Sequence, residues 1–172
     1  MSLTIHPVHG IPEISEGADL GRLLGEICSD ADFGLVDGDV LVVTQKIVSK
    51  AEGAVIEIDM DDPLSHKPVV EREAVRILRR RGDLIITETK HGFVCANAGV
   101  DLSNVARGHA ALLPEDSDRS ARGIRDRILG RQGVSVGVVV SVSYTHLRAH
   151  ETLRYRGWRG GRGKKGGGGG GG

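Results

Sequence analysis

The sequence predicts an α/β domain: a mixed sheet with flanking helices. Two observations carry that expectation. The run Val40-Leu41-Val42-Val43 follows the turn signal Asp37-Gly38-Asp39 and reads as a buried central strand. Short apolar runs then alternate along the chain with segments whose apolar residues recur at helical spacing, the pattern of strands and helices built into one sheet.

Taken in order, residues 3–8 alternate and read as a first strand, closed by His9-Gly10. Pro12 fixes an extended backbone in the connection that follows. Leu20, Leu23, Leu24 and Ile27 place an amphipathic helix over 18–28. After the strand at 40–43, residues 44–50 leave it with polar groups, and 54–58 read as another strand. A second helix is expected over 69–81, its basic end favoured by the helix dipole. Residues 84–89 read as a strand. Asp116 or Ser117 can cap a third helix whose inner face carries Ala121, Ile124 and Ile128. A valine- and glycine-rich strand at 133–140 ends the series.

The neutral overall balance of 23 basic and 23 acidic residues averages two unlike parts. After Val142 come seven basic residues and one acidic, which leaves 16 basic and 22 acidic up to Ser141. The body is therefore acidic, with no electrostatic footprint for nucleic acid. Cys28 and Cys95 fit no metal spacing and read as reduced thiols. No apolar run reaches membrane-spanning length and the N-terminus lacks a signal-peptide pattern, so a cytoplasmic location away from membranes is expected.

At Val142 the character changes. Residues 142–152 resemble, at every position, the translation of a transposase-type sequencing adapter, and the chain ends in the glycine run 166–172. We therefore expect residues 1–141 to be the N-terminal part of the domain and 142–172 to be an adapter-derived, disordered tail. The histidines at 146 and 150 are assigned no function.

Three constellations carry chemistry. Gly10-Ile11-Pro12-Glu13-Ile14 is a tight turn that exposes backbone. Thr44-Gln45-Lys46-Ile47-Val48-Ser49-Lys50 sets polar donors and two lysines at a strand's C-terminal end, which suits a phosphate, although a solvated loop would read the same way. The stretch 91–104 is apolar, then offers a carboxylate, a hydroxyl and an amide within four residues. There Asp101 supplies hard oxygen for Mg²⁺ or Mn²⁺ and Asn104 can hydrogen-bond a ligand; the alternative is an Asx-turn. Cys95 reads as a packed thiol and His91 as a surface residue. Spacing alone stops at an anion-binding α/β domain with a candidate metal ligand.

These three stretches, together with Leu112-Leu113-Pro114-Glu115-Asp116-Ser117-Asp118, resemble the coenzyme F420-0:L-glutamate ligase family. The likeness covers about residues 3–141 in the family's order, and Glu73-Ala74-Val75-Arg76-Ile77-Leu78 looks most like the actinobacterial form. The resemblance implies GTP-dependent ligation of L-glutamate to coenzyme F420-0 through an acyl phosphate, with Mg²⁺ or Mn²⁺ and K⁺ as cofactors and a homodimer as the assembly. It implies GTP contacts at Ile11, Pro12, Glu13, Ile14, Gln45, Lys46, Lys50 and Asn104, and a metal ligand at Asp101. The family follows its last valine-rich strand with a second metal-binding Asp-Thr pair, where this chain has Val142-Ser143. The chain as written is accordingly expected to lack activity. The alternative from another class is a non-catalytic nucleotide- or anion-binding module.

Overall fold

The computed structural model describes residues 2–103 and 105–142. It shows an α/β architecture with both parallel and antiparallel pairing, spread over three small sheets. Among the described residues four α-helices, α1 (Leu20–Asp30), α2 (Gln45–Ala51), α3 (Lys67–Glu73) and α4 (Ser117–Gln132), lie among seven strands. The strands are β1 (Val40–Thr44), β2 (Val55–Glu57), β3 (Ala74–Arg81), β4 (Leu84–Thr89), β5 (Val94–Ala96), β6 (His109–Ala111) and β7 (Gly137–Ser141). β1 and β7 run parallel, from Val40 opposite Gly137 to Thr44 opposite Ser141. β2 pairs antiparallel with β6, and β3-β4-β5 form an antiparallel sheet.

The helices begin where their caps put them. Asp19 accepts from the Arg22 amide at 3.0 Å and Asp116 from the Arg119 amide at 2.8 Å, satisfying first-turn donors that would otherwise lack a partner. Gly133, at φ 71, ends α4 in the left-handed conformation that glycine adopts without a steric penalty. Helices α1 and α4 pack closely at Gly21, where a Cβ would stand 2.6 Å from that of Arg127. Leu20, Leu24, Cys28, Leu41, Val43, Val48, Ile124 and Ile128 form the larger core around this contact. Val70, Ile85, Ala98, Val100 and Ala110 form a second, smaller core.

Several expectations are corrected. Residues 3–8 form no strand: Leu3 and Ile5 stand 87% and 83% exposed, and alternation yields a strand only where a partner supplies hydrogen bonds. The helix expected over 69–81 stops at Glu73, and 74–81 become β3. There β4 offers an antiparallel ladder, and Glu88 meets Arg76 across it at 2.7 Å. The strand at 40–43 is buried on one face only, with Leu41 and Val43 inside and Val40 and Val42 more than half exposed. Residues 45–51 are helical rather than a solvated loop, and β7 starts at Gly137 rather than 133. The boundary drawn at residue 142 falls at the edge of the described residues, and the tail beyond it lies outside them.

Candidate functional site

The site forms where β1 passes directly into α2. Thr44, still extended at φ −70 and ψ 136, precedes the first helical residue, so the polar residues of α2 emerge at the strand's C-terminal end. Three of them turn inward: Gln45, Lys46 and Ser49 are buried. A buried polar group needs a partner, and residues some sixty positions downstream in the chain supply it. The Leu112 carbonyl accepts from Gln45 Nε2 at 2.7 Å and from Ser49 Oγ at 2.6 Å, and Gln45 Nε2 also donates to Ser49 Oγ. These bonds pin α2 to the segment that follows β6.

Lys46 reaches across the same seam. Its Nζ lies 3.0 Å from Asp101 Oδ2 and 2.7 Å from Ser103 Oγ. Asp101 Oδ1 accepts from the Ser103 amide at 2.8 Å and from the Ser103 hydroxyl at 2.6 Å. The Asx-turn expected from spacing is therefore present, and its outer oxygen faces a lysine. Burial pushes the Asp101 carboxyl up, but the Ser103 hydroxyl and amide, and then Lys46, outweigh it and hold the group below its ordinary value. The carboxylate is ionised at neutral pH.

Backbone geometry delivers Asp101 to this place. Between β5 and Asp101 the chain makes a single left-handed turn, Asn97–Gly99, with φ 49 at Asn97, 53 at Ala98 and 75 at Gly99. A left-handed alanine costs about 1–2 kcal/mol. The cost is offset locally, since Thr87 Oγ1 accepts from the Ala98 amide at 3.0 Å and Asn97 Oδ1 from the Ile85 amide at 3.1 Å. Past the turn, Asp101 exchanges both backbone hydrogen bonds with Ala111, at 2.9 and 2.8 Å. The carboxylate is thus fixed by its main chain as well as by its side-chain partners.

Lys50, one turn further along α2, has a side chain only 13% exposed and an ammonium 2.5 Å from Glu13 Oε1. Glu13 itself is 84% exposed. The turn at 10–14 and the lysine of α2 are therefore brought together. Ile11 and Pro12 stay at the surface, while the Ile14 side chain packs into the larger core. Asn104 lies outside the described residues. Cys95 is buried, as expected of a packed thiol. His91 is half-buried rather than fully at the surface, with Nε2 3.0 Å from the Glu115 carbonyl oxygen.

Sequence spacing did not single out Ser103 or Ser49. The Asp-x-Ser spacing of 101 and 103 was the available signal for the first, because a hydroxyl two residues after an aspartate can fold back onto it. Nothing local marks Ser49, whose partner is a distant carbonyl.

The donor set can be tested against a divalent cation. Asp101 and Ser103 offer hard oxygens to the position where Lys46 Nζ now stands, which fits one side of a Mg²⁺ or Mn²⁺ shell. Among the described residues no group of three or more His, Cys, Asp or Glu completes such a shell.

The F420-0:Gamma-glutamyl ligase family model matches residues 10–160, a span that contains every group just described. The chain belongs to that family. It is similar to coenzyme F420:L-glutamate ligase of Methanopyrus kandleri, 42% identical over 154 residues that cover 81% of this chain and 59% of the relative. The enzyme of the same name from Methanothermobacter thermautotrophicus is 36% identical, covering 82% of this chain and 62% of its own length. That from Archaeoglobus fulgidus is 37% identical, with 82% and 60% covered. The chain thus spans about three-fifths of the length of these curated relatives. The family match runs past Ser141 into the segment read as adapter. Among the described residues no helix is long and apolar enough to cross a membrane.

Proposed function

We propose that this chain carries the nucleotide-binding part of a GTP-dependent ligase that joins L-glutamate to coenzyme F420-0. The observation that carries the reading is the pair of inward-reaching lysines on α2, set at the exit of a strand in a chain of this family. In α/β folds, ligands gather at the carboxyl ends of strands. The two lysines differ in how firmly they are held. Among the described residues Lys50 pairs with a carboxylate that is itself 84% exposed, so Glu13 can turn back to water when a phosphate takes its place. Lys46 is held in a buried pair.

In this reading Ile11, Pro12, Glu13 and Ile14 border the nucleotide, Gln45, Lys46, Lys50 and Asn104 contact it, and Asp101 is a metal ligand. The F420-0 carboxylate attacks the γ-phosphorus of GTP and GDP leaves. The amine of L-glutamate then attacks the acyl-phosphate carbonyl, phosphate leaves, and the amine proton passes to solvent. Bound Mg²⁺ or Mn²⁺, with K⁺, would neutralise charge on the transferring phosphoryl group. The chain's own residues orient the polyphosphate and hold compensating charge in a partly dry setting. A homodimer and a cytoplasmic location belong to the same proposal, as does the reading of residues 142–172 as adapter-derived.

The test is GDP formation from GTP that requires both F420-0 and L-glutamate, by a family-length protein carrying this segment. GTP hydrolysis indifferent to both substrates would sink the ligase assignment, and turnover by the 172-residue chain itself would overturn the expectation that it lacks activity. The second reading, a metal-independent anion-binding module, is favoured by one fact: Asp101 is already neutralised by a lysine. It predicts GTP binding that survives chelation of divalent ions and Asp101→Ala.

A further inference from the structure

Lys46 and Asp101 have a relationship that neither a phosphate contact nor a metal ligand alone describes; the inference rests on the metal role proposed above for Asp101. We propose that Lys46 is a resident cation that keeps the place of the divalent metal. Its ammonium holds Asp101 in place until the phosphates of an incoming nucleotide draw it away and release the carboxylate to the metal.

The geometry points there in three ways. First, Nζ sits on a carboxylate oxygen at 3.0 Å and a hydroxyl oxygen at 2.7 Å, the kinds of donor that a hard cation takes. The other carboxylate oxygen is engaged by Ser103, so Oδ2 is where ammonium and metal compete. Second, both side chains are about nine-tenths buried. Splitting such a pair strands a charge and costs about 3–5 kcal/mol. An exchange avoids that cost, because polyphosphate compensates Lys46 as metal compensates Asp101. Third, only the lysine head group needs to move. Gln45 and Ser49 anchor the helix to the Leu112 carbonyl, whereas Lys46 is a compact charge on a flexible four-carbon stem. The helix stays and the ammonium swings.

Metal and nucleotide binding then become coupled through one side chain, and coupling of this kind is reciprocal. Without nucleotide, Mn²⁺ must displace an ammonium and binds weakly. Removing the ammonium should strengthen Mn²⁺ binding, although the variant has lost a phosphate contact.

The experiment is a titration of the family-length protein carrying this segment with Mn²⁺, free ion read by electron paramagnetic resonance, with and without a non-hydrolysable GTP analogue. Lys46→Met should bind Mn²⁺ about tenfold tighter than the parent without nucleotide, a difference of about 1.4 kcal/mol. The analogue should raise Mn²⁺ affinity much more in the parent than in the variant. Lys46→Gln, which keeps a donor for Ser103, should tighten binding similarly and guards against a misfolded methionine variant; circular dichroism checks both. Asp101→Asn should abolish the effect. If the parent binds Mn²⁺ through Asp101 but the Lys46 variants bind it equally or more weakly, the place-keeping role is overturned while the metal site survives. If neither parent nor variant binds Mn²⁺ under any condition, Asp101 is no metal ligand and both ideas fall.

Discussion

Two ion pairs of similar length sit in opposite settings in this molecule. Lys46 and Asp101 meet at 3.0 Å with side chains 11% and 10% exposed, and Arg76 and Glu88 meet at 2.7 Å with side chains 68% and 33% exposed. Distance alone would rank the second pair as the stronger. Desolvation reverses that ranking in what each pair does. The exposed pair trades water for a partner at nearly equal free energy. The buried pair has given up its water, so each charge depends on the other, and on Ser103, for its place in the fold. A pair that cannot be broken cheaply, yet can be exchanged, suits a binding site.

The largest expected effect breaks the buried pair on one side. Asp101→Ala leaves the Lys46 ammonium uncompensated and removes the acceptor of two Ser103 hydrogen bonds. Urea unfolding should show a loss of about 3–5 kcal/mol. A loss under about 1 kcal/mol would mean that water reaches Lys46 and that the two pairs do not differ in kind. The pH dependence has a fixed sign. The folded value of the Asp101 carboxyl lies below its ordinary one. Its contribution is therefore fully present above the unfolded carboxyl value of about 3.9 and is lost as pH falls through the lower folded value. Stability measured from pH 5 downward should fall less steeply in Asp101→Asn than in the parent, whose carboxylate alone has this loss to suffer.

The next effect probes the seam around the buried pair. Ser49→Ala removes a donor from the Leu112 carbonyl and an acceptor from Gln45, at an expected cost of about 1–3 kcal/mol. Asn97→Ala should cost a similar or smaller amount, because it places a second alanine in the left-handed turn and strips the Ile85 amide of its acceptor. Equal thermal midpoints for Ser49→Ala and the parent would show that α2 is not pinned through Leu112.

These elements also show what the sequence could and could not say. Helices α1 and α4 were legible because their signals are local: apolar residues recur on one face of each, and Asp116 marks the start of α4. The stretch 69–81 was not, because its valines and leucine satisfy a helical period about as well as an alternating one, and β4 decides between them from across a turn. The site was legible one residue at a time. Lys46, Lys50 and Asp101 could each be picked out by type and by resemblance, but that Lys46 pairs with Asp101 and Lys50 with Glu13 depends on contacts between distant segments. Ile14 shows the reverse case: the turn at 10–14 was marked for a ligand, and one of its side chains was needed by the core.

The smallest effect is expected at the exposed pair. Glu88→Gln keeps the shape of the side chain and a hydrogen-bond acceptor for Arg76, removing only the charge. Its cost should be below about 1 kcal/mol and should shrink further as salt is raised, because exposed charges are screened over about 10 Å at 0.1 M ionic strength. Cutting the same single charge at Asp101 should depend far less on salt, because a buried pair is screened much less than an exposed one. The pair of salt titrations separates burial from distance as the cause of the difference. A Glu88→Gln cost of about 2 kcal/mol or more, insensitive to salt, would mean that something covers the β3 face in solution. The arginines of that strand would then belong to an interface rather than to a solvated edge.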